Sequence, residues 1–163
     1  MLRALRHFLT PYWLLRLRFK PELLTEIERR ITRSERTHPG ELRFVVEHAL
    51  ELGDLLDQIT PRQRALEVFG LLRVWDTEQN NGLLIYVLYA EHAVEIVADR
   101  GLARRVPQEE WDALCRKLET QFRAGDFAAG SLAAIDGAAA LLEKHFPSYT
   151  AGANELPDQP LLR

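Results

Sequence analysis

The segment Asn80–Leu102, NNGLLIYVLYAEHAVEIVADRGL, restricts the fold more than any other part of the chain. Leu83 to Ala90 is an unbroken apolar and aromatic run. It is far short of the ~20 residues that span a bilayer. It suits a strand buried on both faces, as in a sheet with helices above and below. Glu91-His92 supplies a reversal, and Val94 and Ile96 then alternate with Glu95 as a half-exposed antiparallel partner should. Facing Ala90 with Ala93 sets Leu84 opposite Asp99, which predicts that Asp99 leaves the sheet beside the Asn81-Gly82 turn.

The flanking segments read in order. Pro21 to Arg36 predicts a helix, with Pro21 in the first turn and Leu23, Leu24, Ile27 and Ile31 on one stripe. Glu41 to His48 predicts a strand with Leu42, Phe44 and Val46 inward and Glu41, Arg43 and Glu47 mostly outward. Residues 54–60 predict a loop or short turn. Thr60-Pro61-Arg62-Gln63 is a capping box that opens a second helix. Strand, helix and strand in that order imply a right-handed crossover and a parallel pair, so Glu41 starts its strand at the same edge as Asn81 and Asp99. Trp111, Leu114, Cys115, Leu118 and Phe122 mark a further helix, which makes Cys115 an inert core thiol. Phe127 to Phe146 is an alanine-rich helix that packs closely. The expected architecture is an α/β three-layer α/β/α sandwich around a small mixed sheet of three to four strands, with the 83–98 hairpin at its centre. The organisation is a basic aromatic arm over 1–20, the α/β domain over 21–147, and an irregular tail over 148–163.

At 163 residues with 47% hydrophobic content, the chain can bury one substantial core. Its net charge of −3 is unevenly spread: Arg3, Arg6, Arg16, Arg18 and Lys20 give residues 1–20 a charge of +5, so the rest carries −8. That distribution argues against a nucleic-acid partner. A single cysteine cannot form an internal disulfide. No apolar run fits a secretory signal or a membrane span, so the expected location is cytoplasmic and peripheral to a membrane. Phosphate-loop, dinucleotide-binding, zinc-protease and nucleophile-elbow motifs are all missing, and the five histidines lie in separate segments.

Two places remain for function. Asp76, Asn80, Asn81, Asp99 and Glu41 gather oxygen donors at one sheet edge, which is chemistry for calcium or another divalent cation. Arg100, Arg104 and Arg105 stand close by as anion-binding candidates. The alternative to a metal there is ordinary turn chemistry. In the arm, Phe8, Tyr12, Trp13, Leu14 and Leu15 beside Arg16 and Arg18 predict contact with an anionic membrane surface or a membrane protein, against the simpler expectation of an arm docked on the acidic body.

The stretches SERTHPGELRFVVE (34–47), TEQNNGLLIYVLYAEHAVEIVADRGL (77–102), and Trp111 through FRAGDFAAGSLAAIDGAAALLEKHFP (122–147) resemble the TPM domain. The resemblance runs from about residue 20 to 147, and the ELPDQP tail is similar to short stand-alone bacterial members. It implies the same α/β/α sandwich. Family members include a plant thylakoid-lumen protein linked to photosystem repair and described as a weak acid phosphatase, membrane-anchored bacterial proteins and a worm modulator of acetylcholine receptors; calcium binding is described for some. The resemblance therefore implies a regulatory or interaction domain acting on membrane proteins and binding a divalent cation at the acidic edge, with a metal-dependent acid-phosphatase-like hydrolase as the alternative. This chain differs from the anchored members in having no membrane helix or Gly/Ser-rich tail, and in its basic arm. Nothing in the residues sets an oligomeric state.

Overall fold

The structure is a computed structural model and describes residues 2–147 and 152–163. Its centre is the parallel pair β1 (Glu41–Glu47) and β2 (Gly82–Leu88), in register from Glu41 opposite Gly82 to Glu47 opposite Leu88. β3 (Ala93–Ala98) runs antiparallel to β2 and forms one edge. The two-residue β4 (Leu161–Leu162) runs parallel to β1 at the other edge, giving the order β3-β2-β1-β4.

Both faces of this sheet are covered. On one, Leu42, Phe44, Val46, Leu83, Ile85, Val87, Val94 and Ile96 pack under α3 (Pro21–Ser34), α7 (Gln108–Arg123) and α8 (Phe127–His145). Trp111 and Phe122 are the largest fully buried side chains contributed by those helices. On the other, Val45, Leu84, Tyr86, Leu88 and Val97 meet Ala65 and Val68 of α5 (Pro61–Leu71). β2 is buried at every position because it lies between both layers, the reason for the uninterrupted apolar run. Helix starts follow local chemistry. Thr60 accepts from Gln63 N and Gln63 answers back to Thr60, with Pro61 in the first turn. Asp126 caps α8 through Ala129 N.

Several expectations are corrected. The hairpin register sets Leu83 opposite Ala98 and Leu84 opposite Val97, so Asp99 falls against Gly82, two residues from the expected Leu84. The cause is the reversal: Tyr89–Glu91 forms a 3-10 turn closed by His92 in the left-handed region (φ 52°), and this uses two more residues than a tight turn. A shift of two preserves which side chains face in. β2 ends at Leu88, and β3 is an edge strand. Glu41 and Glu47 are buried, since β1 has helices or chain over both faces. Part of the expected loop over 54–60 belongs to the short helix α4 (Leu52–Leu56), capped reciprocally by Glu51 and Asp54. Arg100 to Ala103 adds another short helix, α6. Among the described residues of the tail, 152–163 lies along β1 and ends as β4. The arm contains two helices, α1 (Leu2–Phe8) and α2 (Tyr12–Arg18).

Candidate functional site

The polar sheet edge is built by backbone. Glu41 N donates to Asn81 O (3.0 Å), Asp99 N to Gly82 O (2.8 Å), and Gly101 N to Asn80 O (2.8 Å). The segments before β1 and β2 and after β3 therefore meet, as the sequence predicted. Two glycines permit it: a Cβ at Gly82 would run into the Val74 carbonyl, and one at Gly101 into the carbonyls of Gln79 and Asn80. Asn80 holds the turn at φ 53°, a conformation Asn tolerates better than most residues.

The side chains at this edge take separate partners. Glu41 Oε2 accepts from Glu155 N (2.9 Å) and Leu156 N (3.2 Å), so its carboxylate holds the C-terminal segment. Glu155 in turn accepts from Glu78 N (2.9 Å). Asn80 Oδ1, expected to face a metal cation, instead accepts from Arg100 Nε (2.7 Å). Asn81 donates through Nδ2 to Pro39 O (2.5 Å). Asp99 Oδ1 accepts from Arg100 N (2.7 Å). Asp76 is exposed. Two oxygens at the edge, Asn81 Oδ1 and Asp99 Oδ2, are shielded from solvent and have no hydrogen-bond partner. Among the described residues no group of three His, Cys, Asp or Glu is placed to hold a metal. Two shielded free oxygens are well short of the six to eight that calcium takes, so exposed carboxylate oxygens or water would have to complete any coordination. Of the expected anion-binding residues, Arg100 gives Nε to Asn80 and keeps both Nη groups, Arg105 lies over the Phe146 ring (5.2 Å) and Arg104 is exposed.

The carboxyls around this edge titrate abnormally. Burial pushes Glu35 up to about 8, opposed by the Leu42 N–H and reinforced by the charges of Glu41 and Asp158. Glu41 is raised by burial, with the N–H groups of Glu155 and Leu156 opposing. At the opposite end of β1, burial would raise Glu47. Hydrogen bonds from Arg64 and Tyr86 and the charge of Arg163 outweigh it and hold the carboxyl low. Arg64 reaches Glu47 with Nε (2.9 Å) and Nη2 (2.8 Å), Tyr86 Oη with 2.6 Å and Arg163 Nε with 3.1 Å. That cluster joins α5, β1, β2 and the residue after β4; it is fully paired and structural. Burial pushes the Cys115 thiol up to about 12, so it stays protonated and unreactive.

The arm is the second site. α1 is clamped to the hairpin turn by Glu91, which accepts from Arg3 Nε and from His7 Nε2, both at 2.8 Å. His7 Nδ1 accepts from Leu50 N (3.0 Å), so the ring proton sits on Nε2. α2 is anchored by Leu15 and by Phe19 just beyond it, both in the main core. Leu15, named among the membrane-contact candidates, faces the body, as the docked-arm alternative expects, because the helical period sets it one turn from Phe19. The outward side of the arm is apolar: Phe8 (67% exposed), Leu9 (69%), Trp13 (66%) and Leu17 (55%). Leu2 and Leu5 of α1 are exposed as well, and Leu52 of α4, also exposed, shares a cleft with Phe8. Tyr12 sits edge-on to His48 and remains partly exposed, Arg16 is exposed, and Arg18 lies over Phe127 (6.0 Å). Glu91 carries no local signature of a clamp beyond being an acid in a turn. No helix among the described residues is long and apolar enough to cross a membrane.

No curated protein matches the chain. Among solved structures it is similar to the NMR structure of BA42 from the psychrophilic bacterium Bizionia argentinensis, at 30% identity and TM-score 0.74, over 88% of this chain and 94% of that one. It also shares the fold of the N-terminal domain of a protein from P. gingivalis, at 18% identity and TM-score 0.64, over 83% and 82% of the two chains. The model of the TPM domain matches residues 18–141, which takes in α3 through most of α8 and both strand pairs of the polar edge. Family match and fold agree, and the chain belongs to the TPM domain family.

Proposed function

We propose that this TPM domain is a non-catalytic interaction module that settles on an anionic membrane surface through its N-terminal arm and so meets membrane proteins. One observation carries the reading: the arm is fixed to the body by Leu15, Phe19 and His7, yet keeps Phe8, Leu9, Trp13 and Leu17 outward among Arg6, Arg16 and Arg18. An arm that served only to cover the core would turn those side chains in. Each large apolar side chain moved out of water contributes roughly 1.5–3 kcal/mol, and each arginine near an anionic leaflet about 1 kcal/mol. The test is sedimentation with phosphatidylserine-containing vesicles. The Phe8→Ser/Trp13→Ser variant should bind at least about tenfold more weakly than the wild type, a loss of about 1.4 kcal/mol or more. Both residues are exposed, so the variant keeps its fold. Equal binding by the two proteins would remove the reading. Deleting residues 1–19 is a poorer test, because it also strips Leu15 and Phe19 from the core.

A second reading has its own observation. The unpartnered Asn81 Oδ1 and Asp99 Oδ2 favour a divalent cation at the sheet edge, with water supplying further ligands. Calcium titration should then shift the backbone amides of 80–82 and 99–101 saturably, and an unmoved spectrum would retire it. A hydrolase needs a nucleophile or an activated water beside its substrate, and the side chains at the edge are turned to backbone and to Arg100. The interaction reading is therefore preferred to the phosphatase-like one.

A further inference from the structure

Between α1, the connection into α2, the Tyr89–Glu91 turn and the end of α7 lies an open cleft of about 430 Å3. Its lining includes Arg6, Thr10, Glu91, His92 and Arg123. The acids around it are already committed. Glu91 takes Arg3 and His7 through Oε1, which balances its charge. Glu119, on the α7 side, accepts from Arg123 Nη2 (2.8 Å) and from Val94 N (3.4 Å). Arg123 thus uses one corner of its guanidinium and keeps the rest. Arg6 has no side-chain hydrogen bond or ion pair among the described residues. His92 is set rigidly by its left-handed backbone and by edge-on contacts to Tyr89 (6.2 Å) and Phe127 (5.6 Å). The cleft therefore presents two guanidinium groups and one imidazole; the Thr10 hydroxyl donates to Arg6 O (2.8 Å) and can only accept, and the one carboxylate in the lining, Glu91, is paired with Arg3 and His7 through Oε1.

We propose that this cleft is a phosphate site that takes the phosphomonoester headgroup of an anionic lipid while the arm lies on the membrane. The lipid source rests on the arm reading above; the phosphate chemistry rests on Arg6, His92 and Arg123 alone. Guanidinium groups suit phosphate because their N–H groups match its oxygens in pairs. The lipid source follows from position: Arg6 and Thr10 belong to the same short helices and turn that hold Phe8, Leu9 and Trp13 outward. A headgroup entering here would keep its acyl chains beside those residues. A linkage follows. Burial and the charges of Arg6 and Arg123 hold His92 below its ordinary range. Facing it are also Glu91 and Tyr89 of its own turn, Glu119 of α7 and Phe127 of α8. A bound phosphate would screen the arginines and draw the imidazole pKa upward, so for a phosphate of fixed charge the affinity would rise as His92 takes up its proton.

The experiment uses the full chain. Inorganic phosphate is titrated against chloride at constant ionic strength, with the His92 ring followed by NMR. A saturable shift is expected, with the His92 pKa raised by about one unit, and Arg6→Gln/Arg123→Gln should abolish both; the two side chains are exposed, so the fold is kept. In a second arm, wild-type protein should bind vesicles containing phosphatidic acid about tenfold more tightly than phosphatidylserine vesicles of matched surface charge, and the double variant should bind the two alike. No saturable phosphate shift, or the same shift in the double variant, overturns the site. A phosphate response without preference for phosphatidic acid overturns the lipid assignment. A wild type that ignores phosphate but binds phosphatidylserine vesicles ends this proposal and leaves the arm reading standing. One that takes phosphate but binds no vesicle does the reverse for the arm, and with it removes the lipid as the source.

Discussion

Glu35 shows how a single side chain can set the response of the protein to pH. Its Oε1 accepts from Leu42 N at 2.7 Å, and burial next to Glu41 and Asp158 pushes its pKa from 4.5 to about 8. The folded state therefore holds a proton on Glu35 between about pH 4.5 and 8 that the unfolded chain has released. Because the native state binds more protons over this range, stability falls as pH rises through it. Glu35→Gln keeps an oxygen for Leu42 N and carries no charge. Thermal melts across that window should show the decline flattened in the variant, with the largest gain over wild type above pH 8; parallel curves would show that Glu35 ionises without consequence. His38 makes a quieter example: it is fully buried, and burial lowers it to about 4, so it is neutral in the folded protein at ordinary pH.

Among the elements, the C-terminal segment is the one whose behaviour depends most on a few contacts. It runs the length of β1 and is held near both ends by glutamates of that strand, Glu41 through the amides of Glu155 and Leu156, and Glu47 through Arg163. Between them Arg43 donates to the carbonyls of Pro157 and Gln159, Thr32 to Asp158, and Leu156 packs into the smaller core. β4 itself contributes only two residues of pairing, too little to hold an edge alone. Glu41→Ala should free the two amides, raising hydrogen exchange at Glu155 and Leu156 by at least about tenfold, since the lost bonds amount to roughly 1.5–3 kcal/mol with a charged acceptor. Glu41→Gln keeps an acceptor oxygen and relieves the repulsion from Glu155 and Asp158, so it should exchange close to wild type. Fast exchange in both variants would mean that charge, and not the acceptor, holds the segment; slow exchange in both would mean that Leu156 and β4 suffice.

At the scale of the whole molecule, the arm changes what the domain boundary means. Residues 1–20 differ from the rest in charge and composition, yet Leu15 and Phe19 belong to the main core and His7 is 4% exposed. The same two helices close the body on one side and offer an apolar, arginine-rich surface on the other. The vesicle and phosphate experiments separate these roles, because Phe8, Trp13 and Arg6 can be changed without touching Leu15 or Phe19.

The local pattern was enough to mark β1, β2, β3, α3, α5, α7 and α8 and their layers, though not α1, α2, α4, α6 or β4. The run of apolar residues in β2, the alternation in β3, the stripe on α3, and the cap at Thr60 each act over a few residues, and periodicity reports them directly. The meeting of Asn81, Asp99 and Glu41 at one edge also followed, since strand direction and a hairpin fix it; the register was off by two because the turn geometry at His92 depends on contacts the local sequence does not show. Tertiary structure alone decided where each polar side chain at that edge points. Glu41 turns to a segment more than a hundred residues away in sequence, Asn80 to Arg100, and Arg3 and His7 to Glu91. Such pairings are selected by the free energy of leaving no buried charge or donor unpaired in the folded whole. That quantity does not exist until distant segments have come together, which is why residue spacing could indicate a polar edge but not its partners, and could mark a basic arm but not the cleft beneath it.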